Sequence, residues 1–215
     1  MRTGKLAAWL TLVTTLALLN YASRFSSGKP PADSLYRYDT AISGLIFYAL
    51  TLWIVWLIAR GLTREELGLR APESWGRALG FTFAVLVALV IAENLLEPLL
   101  HGSREQGLEP SHWEPSKALQ FALNAAVVVL LAPLVEELTY RGLGFRLLEP
   151  FGVAVAVVGT AALFAADHGL VEGFPALFLF GLGVALVRLR TGSIYPGMVL
   201  HGTFNALALA AAVAR

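Results

Sequence analysis

The 215-residue chain contains no cysteine and few charges of either sign. The absence of cysteine excludes disulfides, thiolate metal sites and cysteine nucleophiles. Asp, Glu, Lys and Arg make up only 14% of the residues, whereas soluble domains contain about 25%. The 16 basic and 15 acidic residues give a net charge of +1, which offers no electrostatic basis for binding nucleic acid. Any chemistry must therefore depend on carboxylates, histidines and hydroxyls.

Hydrophobic residues are abundant, at 57% of the chain, which is more than one water-soluble core of this length would bury. Crossing about 30 Å of hydrocarbon takes roughly 20 apolar residues. Seven segments approach that length: residues 6–22, 41–59, 78–100, 118–135, 151–167, 174–189 and 193–214. The sequence therefore predicts an all-α fold, a polytopic transmembrane bundle of about seven spans that forms a single integral membrane domain over residues 1–215.

Positive charge is unevenly distributed between the loops. With the N-terminus in the cytoplasm, the inner segments hold ten Lys or Arg residues and the outer segments six, as the positive-inside rule favours. We interpret the first segment as a retained span rather than a signal peptide, because Asn20-Tyr21-Ala22 is a poor cleavage site. We expect a multi-pass protein of a prokaryotic plasma (inner) membrane.

The inner loop after the second span carries a helix-start signature. Thr63 and Glu66 have the spacing of a capping box, and Gly68 is a plausible stop. The loop is therefore predicted to form a short helix on the membrane surface.

Several ionisable residues lie within the predicted spans. A charge in the centre of a span costs about 2.5–3.5 kcal/mol on insertion scales, so each one requires a partner or a function. Glu137 and Arg141 are four residues apart on a helix and can pair, whereas Glu136 is turned away by about 100°. On the last span, His201 and Asn205 share one helical face.

The fifth span ends in a further ionisable pair, Asp167 and His168. A carboxylate and two neutral imidazoles can hold zinc with an open position, or can activate water without a metal. Two structural interpretations stay open at this point. Each histidine can be a packing residue, and the pair Glu136-Glu137 can mark a helix end at the cytoplasmic interface.

Three ordered motifs carry a family resemblance. Glu136-Glu137-x-x-x-Arg141, Phe164-x-x-x-His168 and His201-x-x-x-Asn205 follow one another within 70 residues. Together they resemble the signatures of the CPBP (Abi) family of CAAX proteases and bacteriocin-processing enzymes. The resemblance covers about residues 120–210, the catalytic core motifs, and implies an all-helical intramembrane endopeptidase.

The resemblance also implies a role for each matching residue. Glu136 would be the general base for water and His168 its partner. His201 and Asn205 would stabilise the tetrahedral oxyanion. The supporting positions of the first motif are matched by Glu137 and Arg141. The implied substrate is a membrane-associated peptide or protein, with lipidated proteins and proteins with a C-terminal sorting tail as the candidate classes.

A metal-free mechanism without a cofactor is favoured over a zinc mechanism. Glu136, His168 and His201 could supply the Glu and two His of a catalytic zinc site. The three lack a closely spaced chelating pair, such as two His four residues apart. Zinc bound by these residues is therefore the alternative.

The alternative to a peptidase is a non-enzymatic membrane protein of the same fold, with an immunity, binding or transport role. Transport would predict paired broken helices in two related halves, which the sequence lacks. Other protease classes fit poorly, because there is no His-Glu-x-x-His motif and Gly192-Ser193 is not followed by glycine.

Overall fold

The computed structural model describes residues 2–27, 31, 33–100, 105 and 113–214, and the described part is predominantly helical with no strand. Seven long helical segments make up the bundle. They are α1 (Arg2–Ser27), α2 (Tyr38–Ala59), α3 (Trp75–Leu100), α4 (Pro115–Phe151), α5 (Val153–Asp167), α6 (Phe174–Thr191) and α7 (Tyr195–Val213).

Six of these helices are long and apolar enough to cross a membrane, and the exception is α5, with 15 residues. Large apolar side chains on α2 and α3, such as Trp53 and Phe83, are exposed on the outside of the bundle. Lipid is the solvent that accommodates such a surface. The protein is therefore an integral, multi-pass membrane protein. Its orientation stays a prediction, and three of the loop charges behind it, Lys29, Arg104 and Arg215, lie outside the described residues.

α4 is the longest helix and contains two π-helical segments. A regular α-helical stretch, Ala132–Glu137, lies between the π segments Val127–Leu131 and Leu138–Gly144. Pro133 has no N–H to donate, and its ring crowds the carbonyl of Val129 four residues earlier, so the helix widens there. The widened turn lies against α7, where a Cβ on Gly202 would come within 2.6 Å of the Val129 oxygen.

α5 packs most extensively against α6, and its exposed large apolar residues lie in its N-terminal part, at Val153, Val155 and Val158. The two helices approach closely at Gly181, where a Cβ would lie 2.9 Å from the Ala161 Cα. On its other side α5 contacts α1 and α4. The C-terminal half of this short helix is therefore buried between longer helices, and Asp167 and His168 follow at its end.

α1 is tied to the rest of the bundle by polar side chains. The Trp9 indole is fully buried and donates to the Thr139 carbonyl at 3.0 Å. Its ring fills the space where a Cβ on Gly144 would lie. The Asn20 amide donates to the Asp167 carbonyl. The first segment is thus part of the folded bundle.

The predicted surface helix after α2 is wrong, because residues 64–68 form hydrogen-bonded turns. The capping box itself is present. The Thr63 N–H donates to Glu66 Oε2 at 2.9 Å, and the Glu66 N–H donates to Thr63 Oγ1 at 3.2 Å. Gly68 then adopts a φ of +68°, which ends the turn two residues after Glu66. Too few residues remain between the capping box and Gly68 for a helix to form.

Candidate active site

Adjacent glutamates on the regular stretch of α4 face different neighbours. The side chain of Glu136 is 14% exposed, and its Oε1 accepts a hydrogen bond from the Tyr48 hydroxyl of α2 at 2.7 Å. The side chain of Glu137 is completely buried. Because successive residues of a helix are about 100° apart, the pair can contact α2 and α7 at once.

His201 of α7 lies between the two carboxylates. Its Nδ1 is 3.0 Å from Glu137 Oε1, within hydrogen-bond distance. Its Nε2 is 3.7 Å from Glu136 Oε2, which is too long for a hydrogen bond. Glu137 therefore holds the imidazole, and Glu136 faces it without a direct hydrogen bond.

Arg141 extends this row of groups on the far side of Glu137. The predicted ion pair is present, with Arg141 Nη1 3.4 Å from Glu137 Oε1 and both side chains fully buried. Arg141 Nη2 also donates to the Gly181 carbonyl of α6 at 3.0 Å. Glu136, His201, Glu137 and Arg141 thus form a continuous polar row, called the acid–imidazole row below.

Unsatisfied polar atoms are concentrated in this row. Among the described residues, five buried side-chain atoms have no hydrogen-bond partner, and four of them belong to Glu136, Glu137 and Arg141. Such atoms are rare in folded proteins and are often found where a protein does chemistry. One of them, Glu136 Oε2, is the atom that faces His201 Nε2.

Phe164, the first residue of the second motif, packs between the histidines. Its ring centroid is 4.7 Å from that of His168 and 5.8 Å from that of His201, in edge-to-face contacts. The Arg141 guanidinium lies 4.5 Å from the same centroid, at cation–π distance. Phe164 therefore fixes the distance between the histidines and covers the buried charge of Arg141.

His168 and Asn205 are anchored to backbone carbonyls. His168 Nδ1 lies 2.8 Å from the Phe164 oxygen, a contact that in the neutral ring leaves Nε2 as the free acceptor. Asn205 Nδ2 donates to the Val128 oxygen in the first π segment at 2.9 Å. An amide has two N–H donors, so one remains available.

The structure thus brings four of the six predicted site residues into direct succession, in the acid–imidazole row. His168 is linked to that row through Phe164, and Asn205 lies one turn beyond His201 on α7. Asp167, the acidic neighbour of His168, is held by neutral donors. Its Oδ2 accepts a hydrogen bond from the Tyr140 hydroxyl at 2.8 Å, and its Oδ1 is 3.4 Å from the Asn20 amide.

Sequence reasoning missed Tyr48, which lies on a span without any charge. One local signal was available. Gly44 precedes Tyr48 by one helical turn, and a Cβ there would lie 3.1 Å from Val127 Cγ1. A glycine on an otherwise bulky apolar span marks the face that approaches another helix closely.

The zinc alternative requires Glu136, His168 and His201 to surround one ion. Within the described ranges, no group of three His, Asp or Glu residues is arranged to hold a metal ion. Glu136 and His201 are neighbours, whereas His168 packs against Phe164. The mechanism proposed below therefore uses side chains and water only.

A cavity of about 520 Å³ lies away from this site, at the end of α4. It is lined by charged residues that include Glu66, Arg146, Glu149 and Arg188. Arg146 forms ion pairs with Glu66 at 2.8 Å and Glu149 at 3.6 Å. None of the predicted catalytic residues lines this cavity.

Comparison with known proteins identifies the region that contains the site. Residues 118–207 match the family model described as Type II CAAX prenyl endopeptidase Rce1-like. The chain carries a CAAX protease domain of the CPBP family. This CAAX protease domain includes all six predicted site residues, and Tyr48 lies outside it. No curated protein and no solved structure matches the chain.

At the level of the family, the match of residues 118–207 supports a CAAX protease, a hydrolase of the peptidase class. The family also implies that its substrate is a membrane-associated protein in a lipid bilayer.

Proposed function

We propose that the protein is an intramembrane endopeptidase that hydrolyses a peptide bond of a membrane-associated substrate with water activated by Glu136. The observation that carries this proposal is the position of Glu136 Oε2, a buried acceptor without a hydrogen bond, 3.7 Å from His201 Nε2. A carboxylate oxygen and an imidazole nitrogen that face each other in this way can both contact one reacting group.

Glu136 is the base in this mechanism. Its Oε2 takes a proton from water, and the hydroxide forms a bond to the carbonyl carbon of the substrate. The tetrahedral intermediate then loses its amine when the carbon–nitrogen bond breaks, and the proton on Glu136 passes to that amine. The carboxylate is regenerated, so proton transfer balances over one turnover.

His201 and Asn205 stabilise the oxyanion of the intermediate. Glu137 accepts a hydrogen bond from His201 Nδ1, which orients Nε2 toward the reacting group. With Nδ1 donating to Glu137, Nε2 can donate to the oxyanion only when the ring is an imidazolium. Donors aimed at a developing oxyanion contribute about 2.7–4 kcal/mol each in enzymes where they have been removed.

His168 has a supporting role as the partner of Glu136. Its Nδ1 is engaged by the Phe164 carbonyl, so Nε2 is the nitrogen available to a water or to the substrate. Asn205 is held by the Val128 carbonyl, which leaves its second N–H for the oxyanion.

Cleavage by the purified protein tests the proposal. The wild-type protein in liposomes is incubated with three membrane-anchored peptides: a prenylated C-terminal peptide, a leader peptide and a C-terminal sorting tail. Mass spectrometry of the products gives the cleaved bond. We expect one class to be cut, and we expect Glu136→Gln to abolish cutting because the amide cannot accept the proton.

Glu149→Gln is the matched control, since Glu149 lies on the same helix and is exposed. It should cut at the wild-type rate. Cutting by Glu136→Gln would overturn the role of Glu136. Failure of the folded wild-type protein to cut any of the three classes would favour the non-enzymatic alternative.

A further inference from the structure

We infer that Tyr48 is a positioning residue for the proposed reaction: its hydroxyl fixes the Glu136 carboxylate so that a single oxygen acts as the base. This inference rests on the proposed function. Tyr48 lies on α2, outside the CAAX protease domain. The site would then depend on a helix that carries none of the three motifs.

The two oxygens of Glu136 have different surroundings. Oε1 accepts the Tyr48 hydroxyl at 2.7 Å, a short distance typical of a hydrogen bond to a charged oxygen. Oε2 has no hydrogen-bond partner and faces His201. With Oε1 engaged, Oε2 is the oxygen whose acceptor positions are both free for a water molecule. Tyr48 therefore selects the basic oxygen and aims it at His201.

No other side chain in the described part of the chain replaces this contact. Arg141 pairs with Glu137. His201 lies 3.7 Å from Glu136, which is too long for a hydrogen bond. Among the described residues, the Tyr48 hydroxyl is consequently the single direct donor that holds the Glu136 carboxylate in place.

The packing of α2 keeps the hydroxyl at this position. Gly44 lies one turn before Tyr48 and allows α2 to approach Val127 of α4, since a Cβ there would come within 3.1 Å of Val127 Cγ1. Tyr48 itself is half-buried. The phenol is thus held by a close contact between helices, and a held donor loses little entropy when it binds the carboxylate.

Kinetics of Tyr48→Phe provide the first test, with Tyr21→Phe as the matched control. Tyr21 donates its hydroxyl to the Leu170 carbonyl at 3.1 Å, so both variants remove one phenolic hydrogen bond between an early helix and a later segment. We expect Tyr48→Phe to lower kcat about tenfold or more with KM within about twofold. Tyr21→Phe should keep the wild-type kcat, and both variants should melt at similar temperatures.

Infrared spectroscopy provides a second test that needs no turnover. The difference spectrum between the wild type and Glu136→Gln identifies the Glu136 carboxyl band. Loss of the phenol hydrogen bond should shift that band in Tyr48→Phe and leave it in place in Tyr21→Phe.

The outcomes separate the two proposals. An unshifted band in Tyr48→Phe, or a kcat equal to that of Tyr21→Phe, overturns the positioning role of Tyr48. If Glu136→Gln is inactive in the same experiments, the proposed function still stands. If Glu136→Gln is active, the proposed function fails and the inference about Tyr48 fails with it, whatever the infrared spectrum shows.

Discussion

The CAAX protease domain and the helices before it contribute different groups to one site. Residues 118–207 supply every ionisable side chain of the acid–imidazole row. α2 supplies a neutral donor to that row, the Tyr48 hydroxyl. The Trp9 indole and the Asn20 amide of α1 bind backbone carbonyls of α4 and α5 and hold the bundle around the site. Under the proposed mechanism, the reactive groups and the group that orients them come from separate parts of the chain.

The largest effect on stability is expected inside the domain, at Glu137. Its carboxylate pairs with a fully buried Arg141 and accepts a hydrogen bond from His201. Glu137→Gln leaves the arginine charge without its partner, and breaking a buried pair in this way costs about 3–5 kcal/mol. We expect a strongly lowered melting temperature and loss of activity, measured by thermal unfolding in detergent and by peptide cleavage.

Glu136→Gln is the matched comparison for that variant. Glu136 has no arginine partner among the described residues, so this substitution should abolish activity and leave the melting temperature nearly unchanged. Equal melting temperatures for the two variants would contradict the division of roles between neighbouring glutamates.

An intermediate effect is expected outside the domain, at Trp9. Trp9→Phe removes the N–H that binds the Thr139 carbonyl and reduces the ring that packs against Gly144. Loss of a buried hydrogen bond together with part of a buried ring costs about 1–3 kcal/mol. We expect stability to fall by that amount in denaturant titrations, with kcat of the folded protein unchanged. A lowered kcat at wild-type stability would place Trp9 in the reaction and would contradict its purely structural role.

A smaller, pH-dependent effect is expected at Glu105. Burial by itself would raise the pKa of this carboxyl, but the N–H groups of Val171 and Gly173, with Arg24, outweigh burial and hold the pKa below its usual 4.5. A pKa that is lower in the folded state stabilises the fold above about pH 4.5, and this contribution is lost as the pH falls through the lowered value.

Melting temperatures between about pH 7 and pH 3 test this effect in the wild type and Glu105→Gln. The wild type should be the more stable of the two at neutral pH, and the difference should shrink on acidification. A difference that stays constant with pH would show that Glu105 does not contribute as a carboxylate.

No effect at all is expected from metal removal. The metal-free mechanism assigns Glu136, His168 and His201 to water and substrate, so protein treated with a strong chelator should keep its activity and should contain no stoichiometric zinc by elemental analysis. Activity that disappears on chelation and returns with zinc would restore the zinc alternative with these same residues.

Much of the fold was predictable because membrane spans are encoded by composition. The spans predicted at 41–59 and 78–100 correspond to Tyr38–Ala59 and Trp75–Leu100. The length of α4 was harder to predict, because charged residues follow its apolar part. The structure shows that the helix continues to Phe151. Likewise, a capping box at Thr63 starts a helix only if enough residues follow it.

Some contacts within the site were also predictable from the sequence, and others were not. The ion pair between Glu137 and Arg141 was predictable because four-residue spacing on a helix brings side chains together. The contact between Tyr48 and Glu136 joins residues 88 positions apart. Helical periodicity relates only residues within a few turns, so no spacing rule could pair these two.

The polar contacts of α1 have a consequence for the order of events during biosynthesis. Trp9 and Asn20 bind groups that lie 130 and 147 residues later in the chain. At about 5–20 residues per second, a ribosome needs roughly 7–30 s to produce those partners after α1 has emerged. α1 is therefore made well before its partners and is fully packed only after α5 has been synthesised, and until then its Asn20 amide lacks the Asp167 carbonyl.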